Sequence, residues 1–429
     1  MVATTTLPVS KRQIGGVCLG NAIEFYDFVT YAYFAAQIGR TFFPSDTPGL
    51  SLLASLATFG VGFLTRPLGA ILLGRFADRA GRKPAMLVSF ALMGFASLAL
   101  PLIPSYAAIG IAAPVLVVLC RLIQGFAVGG EVGAATAFLM EAAPINRRGL
   151  YTSLQAMSAD ISALTAGMIG LILSSVMSDA ALDAWGWRIA LLLGAAIIPV
   201  GLLLRRTLVE TLHPTAEAAD DVPPGISYRR VAIAGVCLVA AATTTNYLLK
   251  YMTTYASSTL GMSTQLAFGA TVVVGLCGAI CAPLAGALSD RIGRRPVMLT
   301  PWILLALAVF PCFELLEHQR SAAALYLACA ILATASTFAS SVFFVVIAES
   351  LPQRVRSGAL GLIYALAVSV FGGSAQFLVA WLTQLTGSPM TPAWYMIGGV
   401  IVGLVAMFAL PETAPVKHAR TALPDGTPA

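Results

Sequence analysis

The sequence predicts an all-α integral membrane protein of twelve transmembrane helices, arranged as two pseudo-symmetric six-helix bundles. Three observations carry that prediction. Of the 429 residues, 58% are hydrophobic and only 10% charged, with a mean hydropathy of +0.86. A soluble chain carries about 25% charged residues, so lipid must be the solvent for most of this one. Apolar runs of roughly the 20 residues that a spanning helix needs recur twelve times. Two loop motifs also repeat at about half the chain length. The composition alone excludes soluble enzymes, nucleic-acid-binding domains and disordered scaffolds.

The first six runs lie near 14–38, 50–75, 84–104, 109–140, 151–177 and 188–206. The first follows Lys11 and Arg12, carries Glu24 and Asp27, and lacks a small-residue cleavage site. It therefore reads as a true first helix and not as a cleaved signal. A polar, proline-bearing stretch from Thr207 to Ser227 holds Glu210, Glu217, Asp220 and Asp221. Six further runs lie near 229–256, 264–288, 296–316, 321–348, 358–386 and 394–410. The expected organisation is a first bundle over 1–206, a linker over 207–228, and a second bundle with a short tail over 229–429. Of the 25 Lys and Arg, Arg40, Arg188 and Arg320 fall on one side, Arg66, Arg121 and Lys250 fall inside spans, and nineteen fall on the other side. The positive-inside rule makes that other side cytoplasmic, with both termini and the linker on it.

Metal and thiol chemistry find no support. His213, His318 and His418 sit at span ends or in loops, and the seven cysteines lie almost entirely within apolar runs. Without a metal-like CxxC pair, they read as small apolar side chains. No metal and no cofactor is expected. No clustered nucleophile set points to an enzyme.

The repeat is internal. Gly74-Arg-Phe-Ala-Asp78-Arg79-Ala-Gly81-Arg82-Lys83-Pro84 follows span two, and Gly286-Ala-Leu-Ser-Asp290-Arg291-Ile-Gly293-Arg294-Arg295-Pro296 follows span eight. Glu141 with Pro144 and Arg148 is echoed by Glu349 with Pro352 and Arg356. Two separate loops repeating in this way argue for duplicated halves. Gly74 is expected to let two helices approach and Gly81 to permit a tight turn. Asp78 is suited to latch a neighbouring helix end or an arginine. These ten residues (Asp78, Arg79, Arg82, Glu141, Arg148, Asp290, Arg291, Arg294, Glu349 and Arg356) are the candidate gate.

The doubled GxxxDRxGRK loop and the Arg121-Leu-Ile-Gln124-Gly125 run resemble the major facilitator superfamily. Three stretches resemble its metabolite:proton symporter family, which handles carboxylates, shikimate, citrate, ketoacids and betaines. They are Gly20-Asn21-Ala-Ile-Glu24-Phe-Tyr-Asp27-Phe, Thr65-Arg66-Pro67-Leu-Gly69-Ala and Arg121 through Glu131. The resemblance implies the major facilitator fold, with spans one, four, seven and ten lining a central cavity. Lys250, set among Tyr247, Tyr251 and Tyr255, departs from the family pattern, which usually has no charge there.

Ionisable groups inside spans are default functional candidates. Asn21, Glu24, Asp27 and Tyr31 give span one a polar stripe. Thr243, Tyr247, Lys250 and Thr254 do the same for span seven, and Thr334, Thr337 and Ser341 for span ten. At about 1.5 Å per helical residue, Asp27 and Arg121 lie roughly 23 and 30 Å from the nearest flanking charge. Arg66, Glu131 and Asp160 come out shallower, at about 14–18 Å, and Glu24 near 19 Å. Two layers result. The outer pair, Asp27 and Arg121, resembles the acid–arginine site of sugar symporters in the superfamily. With Glu24 and Glu131 it forms the candidate proton-coupling set, although a static buried salt bridge would read the same way. Candidate substrate ligands are Asn21, Tyr31, Arg66, Gln124, Tyr247 and Lys250. Arg66 is open to a pairing with Glu131 or Asp160, and Lys250 either faces the cavity or snorkels to the outer surface. Gly125, Gly129 and Gly133 read as a close-contact ridge on span four.

The resulting expectation is a proton symporter importing a small organic acid through the inner membrane of a bacterium, by alternating access and as a monomer. Its partners would be an organic anion, protons and lipid, with no nucleic acid. The alternatives are a proton-coupled exporter of metabolites or drugs, a symporter of a zwitterionic osmolyte, and a membrane sensor without transport. The span-five glycine-proline signature of exporters is absent after Gly167, and neither linker nor tail offers a signalling domain.

Overall fold

The computed structural model describes residues 11–47, 49–80, 82–129, 131–206, 228–352 and 356–417. Within these, the side chains of 11–12, 77–80, 82–83, 85–86, 131, 134, 196–198, 200–206 and 357 are not described. The expected linker and the end of the tail lie outside the described residues.

Among the described residues the helices line up as twelve rods, each matching an apolar run to within a few residues. Span 1 is Lys11–Tyr33 continued by Ala35–Phe42, and span 2 is Leu50–Leu64 continued by Arg66–Ala80. Span 3 is Arg82–Leu102, span 4 Ala112–Val128 with Glu131–Glu141, span 5 Arg148–Val176 and span 6 Trp187–Arg206. Span 7 is Tyr228–Thr254 with the π-turn Tyr255–Thr259, span 8 Thr264–Ile292 and span 9 Arg294–His318. Span 10 is Ala322–Ser340 with Phe343–Glu349, span 11 Arg356–Ala367 and Gly373–Thr386 about the π-turn Val368–Gly372, and span 12 Thr391–Ala409. Eight of these rods are long and apolar enough to cross a membrane on that ground alone. Span 1 falls short because of the Glu24 and Asp27 it carries, and the described helix Ala112–Val128 of span 4 is apolar but only 17 residues long.

The packing repeats between the halves. Span 1 packs on spans 5 and 6, span 3 on 4 and 6, and span 4 on 2; span 7 packs likewise on 11 and 12, span 9 on 10 and 12, and span 10 on 8. The halves meet along spans 5 and 8, 2 and 11, 4 and 11, and 1 and 7. Lipid-exposed Leu, Ile, Val and Phe cover the outside, while the aromatic core lies between the halves. Phe34 touches Phe268, and Phe59 and Phe63 both pack on Tyr247, with ring centroids 4.8, 5.9 and 5.5 Å apart.

Glycines set the closest approaches. A Cβ on Gly125 would overlap the Gly62 carbonyl, and one on Gly129 the Arg66 carbonyl, so spans 2 and 4 run backbone against backbone. Gly133 lies instead against Gly361 of span 11. Span 2 breaks at Thr65, where Pro67 removes an N–H and crowds the preceding turn. Thr65 bridges that break by donating its hydroxyl to the Leu122 carbonyl at 2.7 Å. The two motif glycines differ. Among the described residues a Cβ on Gly74 would meet nothing within 4 Å, whereas its counterpart Gly286 abuts the backbone of Gly149. Gly81 is outside the described residues, while Gly293 takes φ +108° at a tight turn into span 9.

Gly125→Ala should lower the thermal unfolding midpoint in detergent, since overpacking costs about 1–3 kcal/mol. Gly15→Ala, placed where nothing lies within 4 Å, should leave that midpoint unmoved. Equal midpoints for the two variants would refute the backbone contact.

Candidate functional site

Each of the two central arginines sits one helical turn from the glycine contact between spans 2 and 4. Gly62 precedes Arg66 by four residues, and Arg121 precedes Gly125 by four, so the contact brings both guanidinium groups toward span 1. Arg121 and Arg66 are almost wholly buried. The Phe28 ring is shared by both, with its centroid 4.5 Å from the Arg121 guanidinium carbon and 4.7 Å from that of Arg66. Tyr31 stands 4.4 Å from Arg121, and Phe63 stands 4.1 Å from Arg66. Ring faces attract cations most strongly where water is excluded. The two expected layers are therefore one continuous unit joined through Phe28.

Asp27 and Arg121 come together as the sequence suggested. The carboxylate oxygen Oδ2 is 3.5 Å from Arg121 Nη1, and Gln124 links them more tightly. Arg121 donates to Gln124 Oε1 at 2.7 Å, and Gln124 Nε2 donates to Asp27 Oδ2 at 2.7 Å and to Ser97 Oγ at 3.2 Å. Arg121 Nε and Nη2 have no hydrogen-bond partner among the described residues. Asp27 also borders a small cavity with Ile23, Phe90, Met93, Gly94, Ser97 and Gly194, on the side of spans 3 and 6 away from the second half. A charge pair with an intervening amide and unspent donors can switch: a proton on Asp27 cancels its hold on Arg121 and leaves the guanidinium available to an anion.

The other candidates separate. Arg66 reaches across the halves, its Nη1 lying 3.4 Å from the Tyr364 hydroxyl of span 11. Tyr247 packs on Phe59 and Phe63 in the same interface. Lys250 is 5% exposed, with Nζ 5.0 Å from the Tyr247 ring centroid and 5.7 Å from that of Phe25. It does not snorkel outward. A helical side chain leans toward its helix N-terminus, which turns Lys250 back toward Tyr247 one turn earlier. Asn21 does not face this group; its amide donates to the Gln155 carbonyl at 3.0 Å and to Ser158 Oγ at 2.7 Å, both on span 5. The Tyr31 hydroxyl turns toward the Ser55 carbonyl at 3.4 Å, so the ring, not the hydroxyl, serves the site. Glu24 is buried one turn before Asp27. The Glu131 side chain lies outside the described residues. In span 10 the Ser341 hydroxyl is spent on the Thr337 carbonyl at 2.7 Å.

Sequence reasoning missed Ser97, Tyr364 and the aromatic faces of Phe28, Phe59 and Phe63. Ser97 and Tyr364 are lone polar side chains in apolar runs, which is a visible signal. The phenylalanines look like any lipid-facing aromatics.

At the basic end a second cluster bridges the halves. Asp290 accepts from the backbone N–H of Gly149 and Leu150, each at 2.9 Å, so an acid in the last turn of span 8 caps the N-terminus of span 5. Arg294 donates to Asp290 at 2.6 Å and to Glu349 at 3.0 Å, and Thr413 donates to Glu349 at 2.6 Å. Arg356 is spent on the carbonyls of Ala348 and Leu351 at 2.7 and 3.1 Å. Arg291 and Glu141 are exposed, Arg148 is half-buried, and the Asp78, Arg79 and Arg82 side chains are outside the described residues. At the opposite end, Gln265 of span 8 donates to Ser175 of span 5 at 3.0 Å.

A family model described as "Sugar (and other) transporter" matches residues 16–213 and 205–421. The chain is 36% identical over 405 residues to an alpha-ketoglutarate permease of Escherichia coli (strain K12), covering 92% of each. It is 35% identical over 396 residues to a citrate-proton symporter of Salmonella typhi, covering 91% of each. It is 32% identical over 435 residues to a proline/betaine transporter of Escherichia coli (strain K12), covering 97% of this chain and 86% of that one. Among solved structures, the major facilitator superfamily proton:xylose symporter XylE superposes with a TM-score of 0.74 at 17% identity, covering 94% of this chain and 96% of that one.

Asp290→Asn keeps the shape but loses the charge that caps span 5. Charge-assisted bonds contribute about 1.5–3 kcal/mol, so the open fraction at the basic end should rise roughly tenfold. Spin labels on the basic ends of spans 5 and 8 would report it as a longer-distance population; an unchanged distance distribution would count against a latch.

Proposed function

The chain belongs to the sugar (and other) transporter family of the major facilitator superfamily, and on that premise we propose that it imports a small organic acid together with protons, by alternating access of its two halves. The observation that carries the reading is the buried Asp27–Gln124–Arg121 chain, an acid and a guanidinium held together with two guanidinium nitrogens unspent. Embedded charge is expensive and marks ion pathways. Relatives named as a citrate-proton symporter and an alpha-ketoglutarate permease act on carboxylates, which supports an organic anion as the substrate.

In this reading Asp27 carries the coupling proton, and Gln124 relays its state to Arg121. Glu24 and Glu131 are auxiliary acids. Arg66, joined by Tyr364 and Tyr247, presents a guanidinium to a substrate carboxylate, and Arg121 supplies a second when Asp27 is protonated. Asn21 is a brace between spans 1 and 5, not a ligand. The Asp290–Arg294–Glu349 cluster latches the basic end, with Asp78, Arg79 and Arg82 as its expected counterpart in the first half. Nineteen cations on that end support a cytoplasmic assignment, with both termini inside, in the inner membrane of a bacterium. The bundles are read as 1–206 and 229–429, joined by 207–228, in a monomer. The proline/betaine relative supports a zwitterion as the second reading of the substrate. A thermal-shift screen of citrate, alpha-ketoglutarate, shikimate, proline and betaine on purified protein separates the two.

Asp27→Asn should abolish accumulation driven by a pH gradient in proteoliposomes, where one unit supports about tenfold accumulation per proton. Counterflow exchange should persist at a comparable rate. A variant that still concentrates substrate would remove Asp27 from coupling.

A further inference from the structure

Spans 1, 5, 7 and 8 enclose a set of buried polar groups that the Asp27 chain does not use. Lys250 on span 7 and Asp160 on span 5 are each more than nine-tenths buried. Among the described residues, neither the ammonium nor the carboxylate has a hydrogen-bond partner. No ion pair within 4 Å joins them among the described residues; each is an opposite charge acting on the other across the boundary between the halves, and Arg66 is a second cation acting on Lys250. The other titratable groups facing Asp160 among the described residues are Tyr33 from span 1 and Cys281 from span 8; Tyr247 and Arg66 face Lys250. The Tyr33 hydroxyl is also buried without a partner, as are polar atoms of Thr30 and Gln37 on span 1 and Thr253 on span 7. The Asp160 carboxyl rests where a Cβ would stand on Gly278, so that glycine makes room for it on span 8. Each buried polar group left unsatisfied costs about 1–3 kcal/mol. A buried ammonium, a buried carboxylate and the Tyr33 hydroxyl beside it, none of them hydrogen-bonded among the described residues, mark a place where a polar ligand is held.

We propose that Lys250 is a second carboxylate clamp, opposite Arg66, and that Asp160 holds its charge until the substrate takes it over. The inference rests on the symport reading above and names the substrate class within it. Arg66 belongs to the first half and Lys250 to the second. A ligand with two carboxylates answers both cations and draws the halves together, whereas a monocarboxylate or a betaine leaves one cation without its anion. The exchange also moves a proton. When a substrate carboxylate accepts from the Lys250 ammonium, the Asp160 carboxylate is left buried without its cation and takes one proton from the solvent, forming a neutral acid. With the substrate carboxylate counted, the net charge of the cluster is unchanged, and the O–H bond made on Asp160 replaces one broken in a solvent hydronium ion. Asp160 thereby adds one proton to the number that Asp27 couples.

The test uses the full chain in proteoliposomes, with alpha-ketoglutarate and citrate as probes and the reversal potential of uptake as the measure of protons per substrate. Asp160→Asn and Lys250→Gln should each lower that number by one, and the double variant should lower it no further, because both changes remove the same proton. Lys250→Gln should also weaken alpha-ketoglutarate about tenfold or more, since it removes a charge-assisted contact, while leaving its monoester within about twofold. An unchanged proton number in both single variants overturns the proposal. Should Asp160→Asn fail to fold, proton uptake on alpha-ketoglutarate binding to the wild type and to Lys250→Gln, in weakly buffered detergent, decides the same point. One proton fewer in the variant supports the exchange, and equal counts refute it. If neither probe drives proton movement in the wild type, the symport reading itself fails, an outcome distinct from either variant result.

Discussion

The backbone contact of Gly62 with Gly125 is the constraint on which the central site depends. It brings spans 2 and 4 together without intervening side chains, and each helix carries an arginine one turn away. A guanidinium in lipid would be prohibitive alone; two within reach of one ring would add repulsion. The solution is distributed. Phe28, Tyr31, Phe59 and Phe63 offer ring faces, Gln124 connects Arg121 to Asp27, and Tyr364 meets Arg66 from the other half. A side chain at Gly125 or Gly129 would meet the backbone of span 2 at Gly62 or Arg66 and push the two arginine-bearing helices apart.

The basic end shows what duplication preserves and what it alters. Asp290 uses the exposed N–H groups of span 5 as its partner, an interaction that requires only a helix end and an acid. Its strength comes from Arg294, which fixes the carboxylate on one side and reaches Glu349 on the other. Gly286 permits the close approach this geometry needs, and a Cβ on Gly74 at the matching position would meet nothing within 4 Å among the described residues. The first glycine of the repeated motif is therefore not used identically in the two halves. Spans 5 and 8 are in contact along their length, which gives one side of the interface a continuous seam.

Much of this was legible in the sequence. All twelve rods fall on the apolar runs, because hydropathy reports the length of helix that lipid requires. The Asp27–Arg121 pair was legible because charge in a span is rare and its depth can be counted. Rotation about a helix axis was not. Asn21 shares a stripe with Glu24 and Asp27, yet its amide turns to Gln155 and Ser158; periodicity identifies a face and leaves open which neighbour it meets. Depth counting also assumed straight helices, and span 2 breaks at Thr65, so the separate layers assigned to Arg66 and Arg121 merge around Phe28. Lys250 looked free to snorkel because its count from the flank placed it late in the span, while the lean of helical side chains points it the other way.

The arrangement also constrains how a substrate can drive the cycle. A ligand shifts a conformational equilibrium only by its differential affinity for the two states. A site built wholly within one half would bind equally whichever end is open, and would shift nothing. Here the cations are divided: Arg66 and Arg121 lie in the first half and Lys250 in the second. Arg66 already contacts Tyr364 across the boundary, and Ser369 of span 11 donates to the Phe63 carbonyl at 2.7 Å. An anion that touches both halves is bound more tightly when they are close than when either end is splayed. On the proposed reading, charge neutralisation and closure are the same event, and a proton enters because each acid that yields its cation to the substrate is neutralised in place.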